Sequence, residues 1–98
     1  MLHMINQSPF RAPSIETAMR FIQAADVVLL TEDGVYGAQS SQKYADLIKN
    51  TMANNEVYVL GPDVKARGLE GKLLDGIKTV DYEGFVDLVE KHNVNTWL

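Results

Sequence analysis

Glu32 and Asp33 are the residues of this chain whose type and position most suggest chemistry. They stand beside Gly34, directly after the apolar run Val27–Leu30, and α/β proteins usually hold their sites at the carboxyl ends of strands. Two acids there could form an acid–base pair or bind a metal ion. Adjacent side chains on an extended chain point to opposite sides, however, so these carboxylates would cooperate poorly. Asp33-Gly34 is a common turn pair, because glycine tolerates a positive φ, and we favour a structural turn or interface loop.

The other residues capable of chemistry form no convincing group. His3 and His92 lie in the first predicted strand and at the end of the last predicted helix, without a third metal ligand at a recognisable spacing. The helix dipole accounts for His92, and we expect His3 to satisfy backbone groups at an end of the sheet. Ser8 stands in no nucleophile-elbow pattern. Residues 61–63 (GPD) open a helix that could receive an anion, but the loop lacks the spacing of a phosphate-binding loop.

The composition excludes several classes of function. The 98 residues contain no cysteine, which excludes disulfides, thiolate metal sites and thiol nucleophiles. The net charge of -4 and the scattered basic residues argue against a broad nucleic-acid-binding surface. The longest apolar stretch is too short to cross a bilayer, and no leader pattern opens the sequence. We expect one domain over residues 1–98, located in the cytoplasm, with no cofactor, no metal and no direct, stable nucleic-acid binding.

Short strands alternate with helices along the whole chain. Four segments of alternating or continuously apolar residues predict strands: Leu2–Asn6, Asp26–Thr31, Val57–Leu60 and Ile77–Val80. The tail, Val94–Leu98, is expected to form either an edge strand or a docked extension. This alternation predicts right-handed crossovers and a three-layer α/β/α domain with a mostly parallel sheet of four or five strands.

Helices are expected to connect these strands. Ser14 is expected to cap the first helix, and Ser40 or Ser41 the second. The short third helix is expected to end at Gly68 in a left-handed conformation, and Asp81 is expected to cap the last helix. The buried stripe of that last helix is predicted to consist of Phe85, Leu88, Val89 and His92.

Five segments, in order along the chain, resemble the DsrH/TusB family, the smallest members of the DsrE/F/H-like group. They are "MLHMINQSPF", "VLLTEDGVYGA", "VYVLGPDVKARGL", "VDYEGFVDLV" and "TWL". The resemblance implies a DsrE/F/H-like α/β domain and a non-catalytic subunit of a TusBCD-type sulfur-relay (sulfurtransferase) complex. Such a complex joins TusC-like and TusD-like subunits in a heterohexamer. It passes persulfide sulfur through a TusE-like carrier toward 2-thiouridine formation at the tRNA wobble position.

The lack of cysteine separates this chain from some members of that family. Some DsrH proteins carry a cysteine on the first helix, at a position that matches Ala18 here. A persulfide needs a thiolate acceptor, and the resemblance implies that the sulfur-carrying cysteine belongs to the TusD-like subunit. We therefore favour tRNA thiolation over a DsrEFH-type complex of dissimilatory sulfur oxidation. The remaining alternatives are a homo-oligomeric small-ligand-binding module and an acid-dependent enzyme.

Six residues are expected to shape an interface or a neighbouring subunit's site: Glu32, Asp33, Gly34, Tyr36, Arg67 and Trp97. Tyr36 follows the turn, where an aromatic ring with a polar tip suits an interface. Arg67 could pair with a partner's carboxylate or assist an anionic persulfide, although pairing with Asp63, four residues earlier, is slightly favoured. Trp97 and Leu98 could pack in the core or at an edge, and Trp97 is an equally good interface anchor.

Overall fold

A five-stranded sheet forms the centre of the protein, in a computed structural model that describes residues 1–11, 13–40 and 44–97. All strand pairs are parallel, and the strand order is β4-β3-β2-β1-β5. The strands are β1 (Leu2–Ile5), β2 (Val27–Leu30), β3 (Glu56–Leu60), β4 (Lys78–Val80) and β5 (Val94–Trp97). The predicted three-layer α/β fold with a mostly parallel sheet is confirmed, and the tail is an edge strand. Leu98 lies outside the described residues.

Helices cover both faces of this sheet. They are α1 (Ser14–Phe21), α2 (Ala45–Met52), α3 (Gly61–Ala66) and α4 (Tyr82–Lys91), and a 3₁₀ helix (Glu32–Ala38) follows β2. The first three α-helices and the 3₁₀ helix contribute to the larger core cluster, whereas α4 packs against a smaller cluster on the other face. No helix in the described part of the chain combines the length and apolar character needed to cross a membrane.

The position of β2 explains its continuous apolar sequence. It lies at the centre of the strand order, between β1 and β3, and all four of its residues are buried. A parallel strand covered by helices on both faces buries every side chain, so alternation with polar residues is lost. Val28 and Leu30 face the larger cluster, and Leu29 faces the smaller one. Burial of each such side chain stabilises the fold by about 1.5–3 kcal/mol relative to exposure.

The first two helices begin differently from the sequence prediction. Ser14 is the first residue of α1 and not its cap, because Pro13 occupies the cap position, without a side-chain hydrogen bond to the helix. Proline has a fixed φ that suits the entry to a helix. Tyr44 occupies the cap position of α2, so Ser40 is not its cap either. Ser41 lies outside the described residues.

The later helices follow the prediction more closely. Gly68 follows α3 with a φ of +67°, the left-handed conformation expected there. Asp81 caps α4, since its Oδ1 accepts a hydrogen bond of 2.8 Å from the backbone N–H three residues later. The predicted buried stripe is wrong at Val89, which is exposed, and at His92, which follows the last residue of α4 in an extended conformation. Only Phe85 and Leu88 of that helix pack against the smaller core cluster, so the helix contacts the sheet along a narrow line.

Candidate functional site

The segment after β2 is a seven-residue 3₁₀ helix and not the simple turn predicted from its sequence. Thr31 leaves the strand by donating its backbone N–H to the carbonyl of Ile5 across 3.0 Å. Gly34 then donates its N–H to the carbonyl of Thr31 across 2.8 Å. Between them, Glu32 has a φ of +50°, a conformation that residues with side chains rarely adopt. The chain therefore turns sharply at the carboxyl edge of the sheet, with the strain located at Glu32.

Gly34 is required at this turn by a close approach of two backbone segments. A Cβ atom at this position would lie 2.1 Å from the carbonyl oxygen of Ile5 and 2.9 Å from its carbonyl carbon. The expectation of a positive φ at Gly34 is wrong, because the positive φ belongs to Glu32. Gly34 thus lets the 3₁₀ helix lie directly against the end of β1.

Arg67 ties the 3₁₀ helix to the end of α3. Its Nε donates to Asp33 Oδ1 across 2.9 Å, and its Nη1 donates to the carbonyl oxygen of Asp63 across 3.3 Å. The Asp63 carboxylate completes the arrangement, because its Oδ2 accepts the backbone N–H of Glu32 across 2.6 Å. Its Oδ1 lies 3.9 Å from the guanidinium. We call Asp33, Asp63 and Arg67 the clasp.

The clasp revises the prediction for Arg67. The slightly favoured pairing with Asp63 is present, but the shorter contact is to Asp33, which lies 34 residues away in the sequence. Arg67 is half-buried, and its guanidinium is engaged by both acids at once. A planar fork of donors suits such a double contact better than an ammonium group does.

The acids at this edge are placed for structure and not for paired carboxylate catalysis. Asp33 faces a guanidinium, Asp63 accepts a backbone N–H, and the Glu32 side chain is exposed. Catalysis by two carboxylates needs both groups to converge on one substrate. Within residues 1–11, 13–40 and 44–97, no group of three or more histidine, cysteine or acidic side chains could hold a metal ion.

Tyr36 lies in the 3₁₀ helix that the clasp holds. Its side chain packs partly against the larger core cluster and remains half-buried. An aromatic ring fixed on one side and accessible on the other is a typical interface residue. The structure tests no partner contact, so the interface role of Tyr36 stays a prediction.

Trp97 belongs to a second cluster, around His3. The indole N–H donates to His3 Nδ1 across 3.1 Å, and the indole ring stacks on Phe21 with ring centroids 6.0 Å apart. His3 Nε2 lies 3.0 Å from Asp26 Oδ2. Because an indole N–H can only donate, Nδ1 must accept, and this geometry assigns the neutral imidazole with its proton on Nε2. The expectation that His3 satisfies backbone groups is wrong, since both ring nitrogens bind side chains.

Asp26 is the charged centre of this second cluster. Its Oδ2 also accepts the N–H of Gln23 across 3.0 Å, and its Oδ1 lies 3.1 Å from the Met1 amino group. Burial raises the pKa of the Asp26 carboxyl, but the hydrogen bonds from His3, Gln23 and the Met1 amino group outweigh it and lower the pKa to about 2. The carboxylate therefore holds the start of β2 to β1 as an ionised group.

The structure thus separates the six predicted site residues into two groups. Five of them meet at the carboxyl edge of β2 and β3: Glu32, Asp33, Gly34, Tyr36 and Arg67. Trp97 lies in the cluster of His3 and Asp26 instead. The roles of Asp26 in this cluster and of Asp63 as a backbone acceptor were missed by the sequence analysis. A signal existed for Asp63, because loops that follow neighbouring parallel strands meet at one edge of a sheet.

Known proteins resemble this chain over nearly its whole length. The family model described as DsrH like protein matches residues 7–95. Protein TusB of Shigella flexneri is 37% identical over 93 residues, which cover 95% of this chain and 95% of that protein. Protein TusB of Escherichia coli O81 (strain ED1a) is 36% identical over 93 residues, with the same coverage of both.

Two solved structures share the fold. Protein MTH1491 of unknown function, from Methanobacterium thermoautotrophicum, matches with a TM-score of 0.72 at 15% identity, covering 97% of this chain and 95% of that one. Protein Tm0979 from Thermotoga maritima matches with a TM-score of 0.64 at 22% identity, covering 94% of each chain. At these identities the likeness concerns the fold alone, and it agrees with the parallel α/β arrangement.

Proposed function

This chain belongs to the DsrH-like family, and we propose that it is the non-catalytic, TusB-type subunit of a TusBCD-type sulfur-relay complex. In that role it supports the transfer of persulfide sulfur for 2-thiouridine formation at the tRNA wobble position. The observation that carries the proposal is the match to Protein TusB along 95% of both chains, in a sequence that contains no cysteine.

The absence of cysteine supports a role without sulfur chemistry of its own. A relayed persulfide forms on a thiolate, and this chain has no thiol that could provide one. The sulfur-carrying cysteine then belongs to a partner, for which we propose the TusD-like subunit. Ala18, at the position where some DsrH proteins carry a cysteine, is fully buried in the larger core cluster. A residue there would face the core and not the solvent.

We propose that the 3₁₀ helix faces a partner subunit. The clasp holds this helix against α3, and Gly34 lets it lie against β1, so Tyr36 is presented in a fixed position. A preorganised contact residue loses less conformational entropy on binding than a mobile one. Arg67 then acts as a positioning residue, because its guanidinium already contacts Asp33 and Asp63. This favours the structural role over direct assistance to an anionic persulfide.

Trp97 has a different proposed role. Its indole is engaged with His3 and Phe21, which supports internal packing at the edge of the sheet over an interface anchor. The proposed assembly is a cytoplasmic heterohexamer with two copies each of this chain, a TusC-like subunit and a TusD-like subunit. A TusE-like carrier and the tRNA thiolase are its indirect partners, without stable binding of this chain to nucleic acid.

Co-expression tests the proposal. The full chain is tagged and co-expressed with the TusC-like and TusD-like proteins of the same organism. We expect it to be recovered with both proteins, in a complex whose native mass corresponds to two copies of each subunit. Cells that lack the chain are expected to lose tRNA 2-thiouridine, and the wild-type gene should restore it. Recovery of the chain free of both proteins would contradict the proposal. A stable complex whose loss leaves 2-thiouridine unchanged would point instead to a DsrEFH-type role.

A further inference from the structure

Helix α4 is buried less than the other α-helices of the described residues, since it is the one in which no residue is buried. It crosses one face of the sheet from edge strand β4 to the opposite edge strand β5. Its inward side chains, Phe85 and Leu88, pack against the smaller core cluster and are themselves half-buried. The helix therefore presents most of its circumference to the surroundings.

A second apolar stripe lies on the flank of α4, beside the stripe that packs on the sheet. Tyr82, Val86 and Val89 follow one another at spacings of four and three residues, so they lie along one side of the helix. Their side chains are 62%, 49% and 36% exposed. A helix that faces solvent normally has polar residues opposite its core-facing stripe. On α4 that opposite side is occupied by Glu83, Asp87 and Glu90, so the exposed stripe extends the apolar face beyond the part that contacts the sheet. This additional exposed apolar surface indicates that the flank of α4 is covered in the working protein.

Acidic residues border this stripe. Glu83, Asp87 and Glu90 are exposed, and within the described ranges of the chain none of them forms an ion pair. A shallow depression is lined by Tyr82, Glu83, Val86 and Asp87. We call the stripe and its three bordering acids the α4 surface. It has an apolar centre with a negative border, the arrangement of a protein interface.

The charges distinguish between two occupants of the α4 surface. A second copy of this chain would bring three more uncompensated carboxylates to the contact, and each copy has a net charge of -4. Like charges placed opposite one another oppose binding, whereas lysine or arginine on a different chain would pair with these acids. The charge pattern therefore favours a different, basic chain over self-association.

We propose that the α4 surface docks a partner subunit whose contacting face has an apolar ridge bordered by lysine or arginine side chains. The proposal rests on the proposed function, because it takes the occupant to be another subunit of the complex. The apolar stripe provides the affinity, and the acids provide orientation and faster encounter.

Two variants of the full chain, co-expressed with the TusC-like and TusD-like proteins, test the α4 surface. Val86→Asp places a charge in the apolar stripe, and we expect binding about tenfold weaker, or loss of one subunit from the complex. Glu83→Lys reverses one bordering charge, and we expect association about threefold slower at low ionic strength, with the difference vanishing as salt is raised. Glu70→Lys, an exposed acid outside α4, is the matched control and should leave assembly unchanged. Circular dichroism of the isolated variants checks that each folds.

The outcomes separate this proposal from the proposed function. A wild-type chain that captures neither subunit overturns both. If the wild-type complex forms and Val86→Asp binds the other subunits with the wild-type affinity, docking at the α4 surface is wrong and the proposed function stands. If the isolated wild-type chain is instead a dimer that Val86→Asp converts to a monomer, the occupant is a second copy, and the basic partner is wrong. Weaker binding by Val86→Asp and slower, salt-sensitive association by Glu83→Lys, with Glu70→Lys unaffected, support the proposal. Association of Glu83→Lys at the wild-type rate at low ionic strength would contradict the basic partner.

Discussion

The indole N–H of Trp97 donates to Nδ1 of His3 across 3.1 Å, which joins two residues 94 positions apart. The hydrogen bond links edge strand β5 to β1, and through His3 it continues to Asp26 at the start of β2. Three strands are thus joined by one chain of side-chain hydrogen bonds. A buried network of hydrogen bonds stabilises a protein most when every polar group in it has a partner. Removing one member leaves another polar group buried without a partner, which lowers stability.

Trp97→Phe should destabilise the protein by removing this donor while keeping an aromatic ring. His3 is 4% exposed, so its Nδ1 would be left without a partner in a buried site. We expect the free energy of unfolding to fall by about 1–2 kcal/mol, measured by urea denaturation with circular dichroism. Tyr82→Phe, on an exposed aromatic side chain, is the control and should change stability by less than about 0.5 kcal/mol. Equal effects of the two substitutions would contradict the buried hydrogen bond.

The Asp26 carboxylate should make stability depend on pH in the acidic range. Its pKa is lowered from 3.8 to about 2 in the folded protein, so the unfolded chain binds the proton more readily. The contribution of the ionised Asp26 carboxylate to the free energy of unfolding is complete above about pH 4, and it is lost as the pH falls through about 2. Unfolding by urea at a series of pH values should therefore show the gap between wild type and Asp26→Asn narrowing over this window. A gap that stays constant down to pH 2 would show that the carboxylate charge contributes nothing.

Gly34→Ala should be among the most damaging single substitutions at the carboxyl edge. The added Cβ would lie 2.1 Å from the carbonyl oxygen of Ile5, a backbone atom that no side-chain rotation can move away, so one of the two backbone segments must shift. We expect a loss of about 3 kcal/mol or more in the free energy of unfolding. Gly68→Ala is the matched control, because its Cβ would meet open space and only the positive φ is strained, at a cost of about 1–2 kcal/mol. If Gly68→Ala proves the more damaging, the close approach at Gly34 is not the constraint described here.

Arg67→Lys should loosen the 3₁₀ helix while keeping the charge. One ammonium group cannot reproduce the two contacts that the guanidinium makes with Asp33 and Asp63. We expect a loss of about 1 kcal/mol in stability and faster hydrogen exchange across residues 32–38. Arg20→Lys, in an exposed pair with Glu16, is the control and should change stability by less than about 0.5 kcal/mol. Unchanged exchange in residues 32–38 would contradict the positioning role of Arg67.

Much of the fold was predictable because its signals are local. The apolar run of β2 predicts a strand covered on both faces, and all four residues of that strand are buried. As their residue types predict, Asp81 caps the start of α4, and Gly68 follows the end of α3 in a left-handed conformation. The prediction failed where two local signals competed. Ser14 is a good cap residue, but Pro13 starts the first turn of α1 one residue earlier than expected.

The candidate site was predictable in its location and not in its contacts. The sequence placed Glu32, Asp33 and Gly34 after a strand, and the parallel fold placed Arg67 at the same edge. That Arg67 binds Asp33 more closely than Asp63 depends on the 3₁₀ helix, whose form follows from the approach of Gly34 to β1. No pattern in the sequence predicts how closely the backbone at Gly34 approaches the end of β1.

The sequence by itself determined the alternation of strands and helices, the family resemblance and the lack of any thiol. These depend on residue type, on spacing within one element and on the order of short segments. The tertiary structure alone decided that Trp97 binds His3, that Arg67 holds Asp33, and that Val86 and Val89 face outward. These contacts and exposures depend on strand order, on register and on which side of α4 meets the sheet. They follow from the packing of elements distant in sequence, and periodicity within one element does not encode them.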